Sequence, residues 1–238
     1  GSLVGTYEES ILTGRMSTLP SLPLWFIAQI GVLGLGPNCP AKLRCPPHIT
    51  LDFPAYFYAH HEESFPSPYV GTLDLNQAIN STEKKKRKIN LSSPLQTDYP
   101  IRSSSPLLQS PSSPPVPEPL GYRIPAQGRL QVIIKNAQKT AIRLFLIPYN
   151  LQDMPIGYKT FLRQVIYREA SGSSMPIDGK SSRAISSAIH IHVRRSSRTR
   201  WYVYGPVRVV FGHRVLEQGI GDKEIVEIKG PENPKWVP

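Results

Sequence analysis

Hydrophobic positions recur at every second residue along much of this chain, which is the period of a strand rather than of a helix. Leu130, Val132 and Ile134 recur in this way. So do Ile142, Leu144 and Leu146 after the turn-forming stretch Asn136-Ala137-Gln138-Lys139, and residues 130–149 therefore predict a β-hairpin. Tyr69, Gly71, Leu73 and Leu75 alternate with Val70, Thr72 and Asp74. Residues 27–32 and 49–58 also favour extended structure. In the second of these, Phe53, Tyr56, Phe57 and Tyr58 add aromatic bulk suited to a pleated surface, while Pro54, which has no amide to donate, restricts the strand to an edge or a bulge. Residues 160–168 predict a strand that pairs with the 130–149 hairpin. Residues 188–195 and 201–211 predict a second hairpin around Ser196-Ser197-Arg198-Thr199. No window keeps a helical period for three turns.

Short strands at near-regular spacing, with no helices between them, predict an all-β fold, an antiparallel β-sandwich of the immunoglobulin-like kind. Between Asn76 and Pro119 the alternation stops and Ser and Pro dominate. Isolated pairs such as Leu107-Leu108 cannot offset the entropy of ordering that stretch, about 1–2 kcal/mol per residue. The expected organisation is one β domain in two parts, residues 1–75 and 121–238, separated by a disordered insert over 76–120. Residues 170–187, rich in Ser and Gly, predict a second flexible stretch. The 25 Pro and 17 Gly among 238 residues agree with a loop-rich body.

No apolar run is long enough to span a bilayer; the longest, residues 22–35, is interrupted by Pro23, Gln29, Gly31 and Gly34. The opening residues lack both an initiator Met and a charged region before an apolar one, so the chain reads as an excised piece with no secretion signal. With only Cys39 and Cys45, no disulfide framework is expected, which suits a reducing compartment.

Charge sharpens the picture. Lys84, Lys85, Lys86, Arg87 and Lys88 are adjacent, and five neighbouring cations cannot be buried without partners. Set in a polar segment, the run reads as a nuclear-import signal, and the expected location is the nucleus. Ser93, Ser105, Ser110 and Ser113 each precede a Pro and are candidate phosphorylation sites. The net charge of +11 calls for an acidic partner, and six of the excess cations, Arg194, Arg195, Arg198, Arg200, Arg208 and Arg214, fall between His190 and Arg214 with no Asp or Glu among them.

Most constellations that could carry chemistry fail on spacing. Cys39, Cys45 and His48, with His60 and His61 nearby, are soft ligands, but Pro40, Pro46 and Pro47 and the wide cysteine gap do not match a zinc finger. No Ser lies in a nucleophile elbow, and Gly31, Gly34 and Gly36 lack the Lys of a phosphate loop. The expectation is therefore no catalytic residue, no metal, no cofactor and no small-molecule substrate. The stronger candidate is the second hairpin. Its alternation puts His190, His192 and Arg194 on one face and Ile189, Ile191 and Val193 on the other. Arg194, Arg195, Arg198 and Arg200 gather towards the tip, where their planar forks suit phosphates, and Trp201, Tyr202 and Tyr204 could stack bases. DNA or an acidic protein surface are the expected partners.

Several ordered blocks carry a resemblance. The opening Gly1–Arg15, the Cys45-Pro46-Pro47-His48 turn, Ser67-Pro68-Tyr69-Val70-Gly71, Gly121-Tyr122-Arg123-Ile124-Pro125, Asp153-Met154-Pro155 and Thr160-Phe161-Leu162-Arg163-Gln164 together resemble the conserved domain of the Atos family. The resemblance spans both folded parts. It implies a nuclear protein regarded as a transcriptional regulator, with a carboxy-terminal half labelled for chromosome segregation during meiosis, and it implies no catalytic residue. The insert with the basic run departs from the compact form of that domain. The resulting expectation is a nuclear, non-enzymatic regulatory interaction module acting with transcription or chromosome proteins. A meiotic segregation factor and a direct DNA-binding domain are the alternatives.

Overall fold

The computed structural model describes residues 10, 19–58, 68–75, 79, 121–169, 183–212 and 223–229. Its strands are β1 (Leu24–Gly34), β2 (Ile49–Tyr56), β3 (Tyr69–Asp74), β4 (Tyr122–Ile124), β5 (Gln127–Lys135), β6 (Ala141–Asn150), β7 (Lys159–Glu169), β8 (Arg183–Ser197), β9 (Arg200–Phe211) and β10 (Lys223–Lys229), with a single-turn helix α1 (Ala41–Arg44) after β1. The basic run 84–88 and Ser93, Ser105, Ser110 and Ser113 lie outside the described residues, as does most of the 76–120 insert. Of the stretch 170–187 expected to be flexible, residues 183–187 belong to β8, and the others lie outside the described residues.

The fold is all-β and every ladder is antiparallel, as the period-two alternation predicts. The strands join in one continuous sheet in the order β10-β7-β8-β9-β3-β2-β1-β5-β6, with β4 also on β9. The two separately stacked sheets of the sandwich expectation are not seen in these ladders. Strands β1, β2 and β3 are paired on both sides, so hydrogen bonding runs unbroken through the middle, and the sheet curls until its edges approach. Arg143 of β6 and Glu224 of β10, on the two edge strands, form an ion pair at 3.2 Å across the remaining gap. Pro54 was expected at an edge or a bulge; β2 is instead an interior strand in which Pro54 pairs with Trp25 of β1, and only its β3 side is unpaired at that position, since β3 joins from Ala55 onward.

The inner face encloses one core. Phe26, Phe53, Tyr69 and Phe211 meet at one end with ring centroids 4.9–6.2 Å apart. Leu130, Val132 and Ile134 are fully buried. Opposite them in register stand Phe145 and Ile147 of β6, which makes Phe145, Ile147 and Tyr149 the inner set. Of the series Ile142, Leu144 and Leu146, the two leucines face outward, Leu144 46% exposed, whereas Ile142 lies at the register shift between Ala141 and Arg143 and packs against the core.

The strands of residues 24–74 fill the space between β9 and β5, both of which come from the second part, so the sheet is continuous only when both parts are present. Along β9, β3 pairs with residues 206–211 and β4 with residues 201–203. The chain between β3 and β4 thus leaves and rejoins the sheet at neighbouring points of one strand. Closing a long connection there costs little, because the entropy grows only logarithmically with length.

Candidate functional site

Residues that face each other across an antiparallel ladder point to the same side, so the outward positions of β7, β8 and β9 form rows. The first row is Lys159, Arg194 and Tyr202. The second is Phe161, His192 and Tyr204, and the third is Arg163, His190 and Arg208. A row of aromatic rings around His192 therefore lies between two rows that carry cations. Beyond the third row, Val165, Ala188, Val210 and Val70 form a buried apolar row that bounds the polar face. The reverse sides of the same strands supply Leu162, Ile189, Ile191, Val193 and Val203 to the core, which is the split the alternation predicts.

The grid depends on an irregularity in β9. His190 pairs with Arg208 and His192 with Tyr204, so β9 spends two residues more than β8 between these pairs. An insertion of two preserves the parity of the alternation and keeps Tyr204 and Arg208 on the same side. Gly205 occupies the kink with φ of +66°, a region that costs a non-glycine residue about 1–2 kcal/mol. Pro206 follows it and has no amide to leave unpaired.

The side chains are coupled. Arg163 Nε donates to His190 Nδ1 at 3.2 Å, and His190 Nε2 lies 3.2 Å from His192 Nε2. Because Nδ1 of His190 accepts, its Nε2 carries the proton, and His192 Nε2 is the acceptor. Burial first, then the charges of His192, Arg163 and Arg208, push His190 down to about 4, so its ring is neutral at physiological pH. Phe161 stacks on that ring with centroids 5.2 Å apart and planes at 22°, and the Arg163 guanidinium lies 5.5 Å from the Phe161 centroid. Arg194 is placed over both Tyr202 and Tyr204, 5.8 and 5.7 Å from their centroids. The Tyr204 hydroxyl is pushed up by burial, against the pull of Arg194. The grid itself holds no carboxylate; Asp74 of β3 and Glu227 of β10 stand on the same side at its flanks.

The residues expected to work together at the hairpin tip are divided by the structure. Arg194 and Arg195 are consecutive on a strand and point to opposite sides. Arg195 turns inward, stacks on Trp201 at 4.6 Å, and donates to the carbonyls of Ser197 at 3.1 Å, Arg198 at 2.9 Å and Met154. Trp201 is buried, and its Nε1 donates to the Leu151 carbonyl at 3.1 Å. Both side chains serve the junction between the hairpin and the loop after β6. Arg198 and Arg200 are exposed at the turn, and Arg194 joins the outer grid.

Lys159, Phe161 and Arg163 were not singled out by sequence, because residues 160–168 were expected to pair with the 130–149 hairpin. The strand pairs instead with β8 and β10, which brings its outward residues beside His190 and His192. The available signal was the match between two amphipathic patterns, Lys159-Phe161-Arg163 and His190-His192-Arg194. The Cys45-Pro46-Pro47-His48 turn is held by Tyr122, whose hydroxyl donates to the Pro47 carbonyl at 3.2 Å. Burial, reinforced by Cys45, pushes that hydroxyl up to about 12. Among the described residues no group of three or more His, Cys, Asp or Glu is placed to hold a metal ion, and no helix there is long and apolar enough to cross a membrane.

Two family models match the chain: "Domain of unknown function (DUF4210)" over residues 3–70, and "Chromosome segregation during meiosis" over residues 184–238. The chain is similar over its whole length to Atos homolog protein A of Xenopus tropicalis, at 28% identity, and to Atos homolog protein B of Bos taurus, at 27%. The resemblance to Atos homolog proteins thus extends over the whole chain. It is also 28% identical, over 94% of its length, to the uncharacterized protein C3H8.04 of Schizosaccharomyces pombe. The chain spans 21%, 35% and 56% of the lengths of those three relatives. No solved structure matches it. The second family model takes in β8, β9 and β10, and hence two of the three strands of the outer grid.

Proposed function

We propose that this domain is a non-enzymatic nuclear interaction module that regulates chromosome-linked processes, transcription foremost, by holding a polyanionic partner on the outer face of β7, β8 and β9. The observation that carries this reading is the placement of Lys159, Arg163, Arg194 and Arg208 on one sheet face with no carboxylate within the grid. Such an arrangement concentrates positive potential over a surface that a phosphate backbone or an acidic protein segment can follow. The reading is non-enzymatic because both ring nitrogens of His190, the most perturbed base of the face, are engaged by Arg163 and His192. A second reading, a role in meiotic chromosome segregation, is supported by the family model that matches residues 184–238 and so includes β8 and β9.

Chromatin retention in permeabilised nuclei tests the proposal. The unaltered domain is expected to remain bound at low salt and to be released as salt rises. A variant with Arg163→Glu, Arg194→Glu and Arg208→Glu is expected to wash out while keeping its thermal unfolding transition. Equal retention of a folded variant would remove the outer face from the function.

A further inference from the structure

We infer that the outer face of β7, β8 and β9 is a binding site for single-stranded nucleic acid, in which bases stack on the row Phe161, His192, Tyr204 and phosphates are held by the cationic rows on either side. This inference rests on the polyanion reading of the same face and names its ligand.

The cations alone do not distinguish among polyanions. The aromatic row does. Phe161 is a large apolar ring left 44% exposed in the middle of a polar face. Its position is held by the stack against His190 and by Arg163 near its ring, so little rotamer freedom remains to be lost when a base arrives. His190 is neutral where it supports Phe161, and so supplies a flat surface rather than a point charge. His192 and Tyr204 continue the row with centroids 5.9 Å apart.

Along β7 and β8 the rows are two residues apart, roughly 7 Å, and neighbouring strands are separated by about 5 Å. A strand with splayed bases can place rings on the middle row while its backbone passes over Arg163 and Arg208 on one side or Lys159 and Arg194 on the other. A duplex keeps its bases stacked and paired inside, and a sheet face presents no helix or ribbon to reach them through a groove. An acidic protein segment would use the cations and leave the aromatic row without a role. Stacking platforms framed by cations are the general solution for single strands.

The test uses the whole chain and fluorescein-labelled oligo(dT) and oligo(rU) of about 15 nucleotides, a duplex of the same length and a poly-glutamate peptide, titrated at about 50 and 200 mM salt. Single strands are expected to bind at least about tenfold tighter than the duplex, with Phe161→Leu weakening them by roughly 10- to 100-fold and Phe161→Tyr restoring most of the loss. Arg163→Gln is expected to lower the salt slope by about 0.7. Stronger binding of oligo(rU) or of oligo(dT) assigns the strand as RNA or DNA. Duplex or poly-glutamate binding as tight as single-strand binding, or Phe161→Leu without effect, overturns the single-strand inference. It leaves the polyanion reading in place if Arg163→Gln still weakens the complex. No binding of any of these polyanions at about 50 mM salt overturns both.

Discussion

Arg143 on β6 and Glu224 on β10 meet at 3.2 Å although 81 residues separate them in sequence, and they join the two free edges of a sheet that otherwise runs open. Strand β6 is the last in the order and β10 the first, so this ion pair marks the line along which the sheet nearly closes. Both side chains are partly exposed, and the pair contributes about 0.5 kcal/mol, less at high salt. The Glu224→Gln variant is therefore expected to lose only that much stability in urea titration. Its clearer effect is expected in hydrogen exchange, with faster exchange in β10 and β6 and unchanged protection in β1 and β9. Uniformly faster exchange would show that the seam and the core open together.

Stability is expected to depend on pH through His190. Its folded value lies near 4, below the ordinary histidine value of 6.5, because burial and then His192, Arg163 and Arg208 disfavour the charged form. The folded state therefore binds fewer protons than the unfolded chain between those values. The contribution is present in full above about pH 6.5 and is lost as pH falls towards about 4, and after allowance for solvent screening it amounts to about 1–2 kcal/mol. His190→Gln removes the titrating group. Urea midpoints followed from pH 7 to pH 4 are expected to fall more steeply in the unaltered protein than in the variant, and parallel curves would assign the loss to other groups.

Arg194 and Arg195 are neighbours with different work, and substitution separates them. Arg195→Gln removes donors from three carbonyls and the stack on Trp201, so stability is expected to fall by about 2–3 kcal/mol in thermal or urea unfolding. Arg194→Gln is expected to change stability by less than about 1 kcal/mol, and to act instead on binding of polyanions. Equal destabilisation by both would contradict the division of the hairpin tip into inward and outward sides.

Gly205→Ala places a side chain in open space, since nothing lies within 4 Å of the added carbon, yet the backbone there has φ of +66°. The cost is conformational alone, about 1–2 kcal/mol. A measured loss below about 0.3 kcal/mol would mean that β9 relaxes away from the kinked geometry that holds Tyr204 and Arg208 on one face.

For the basic run the expectation comes from sequence. Replacing Lys84, Lys85 and Arg87 by Ala, in a fusion too large to diffuse passively, should move the protein towards the cytoplasm. Unchanged nuclear accumulation would remove the import role.

Local pattern was enough to determine that the chain is all-β, that residues 130–149 and 188–211 form hairpins, and that His190, His192 and Arg194 share a face opposite Ile189, Ile191 and Val193. Side-chain alternation along a strand is set by its own backbone, so it can be read without knowing any neighbour. Which strand lies beside which is decided by hydrogen bonds and burial between residues far apart in sequence, and local pattern carries no such information. For that reason local pattern marks β7 as a strand yet assigns it to the 130–149 hairpin, and carries no sign that Lys159, Phe161 and Arg163 stand beside the histidines. The same limit explains the tip. Four arginines in seven residues read as one cluster, but the carbonyls of Met154, Ser197 and Arg198 and the ring of Trp201 draw Arg195 inward. The continuity of the sheet, its near closure through Arg143 and Glu224, and the grid of cations around an aromatic row are properties of the assembled strands, because each requires side chains from segments that meet only when the whole sheet has formed.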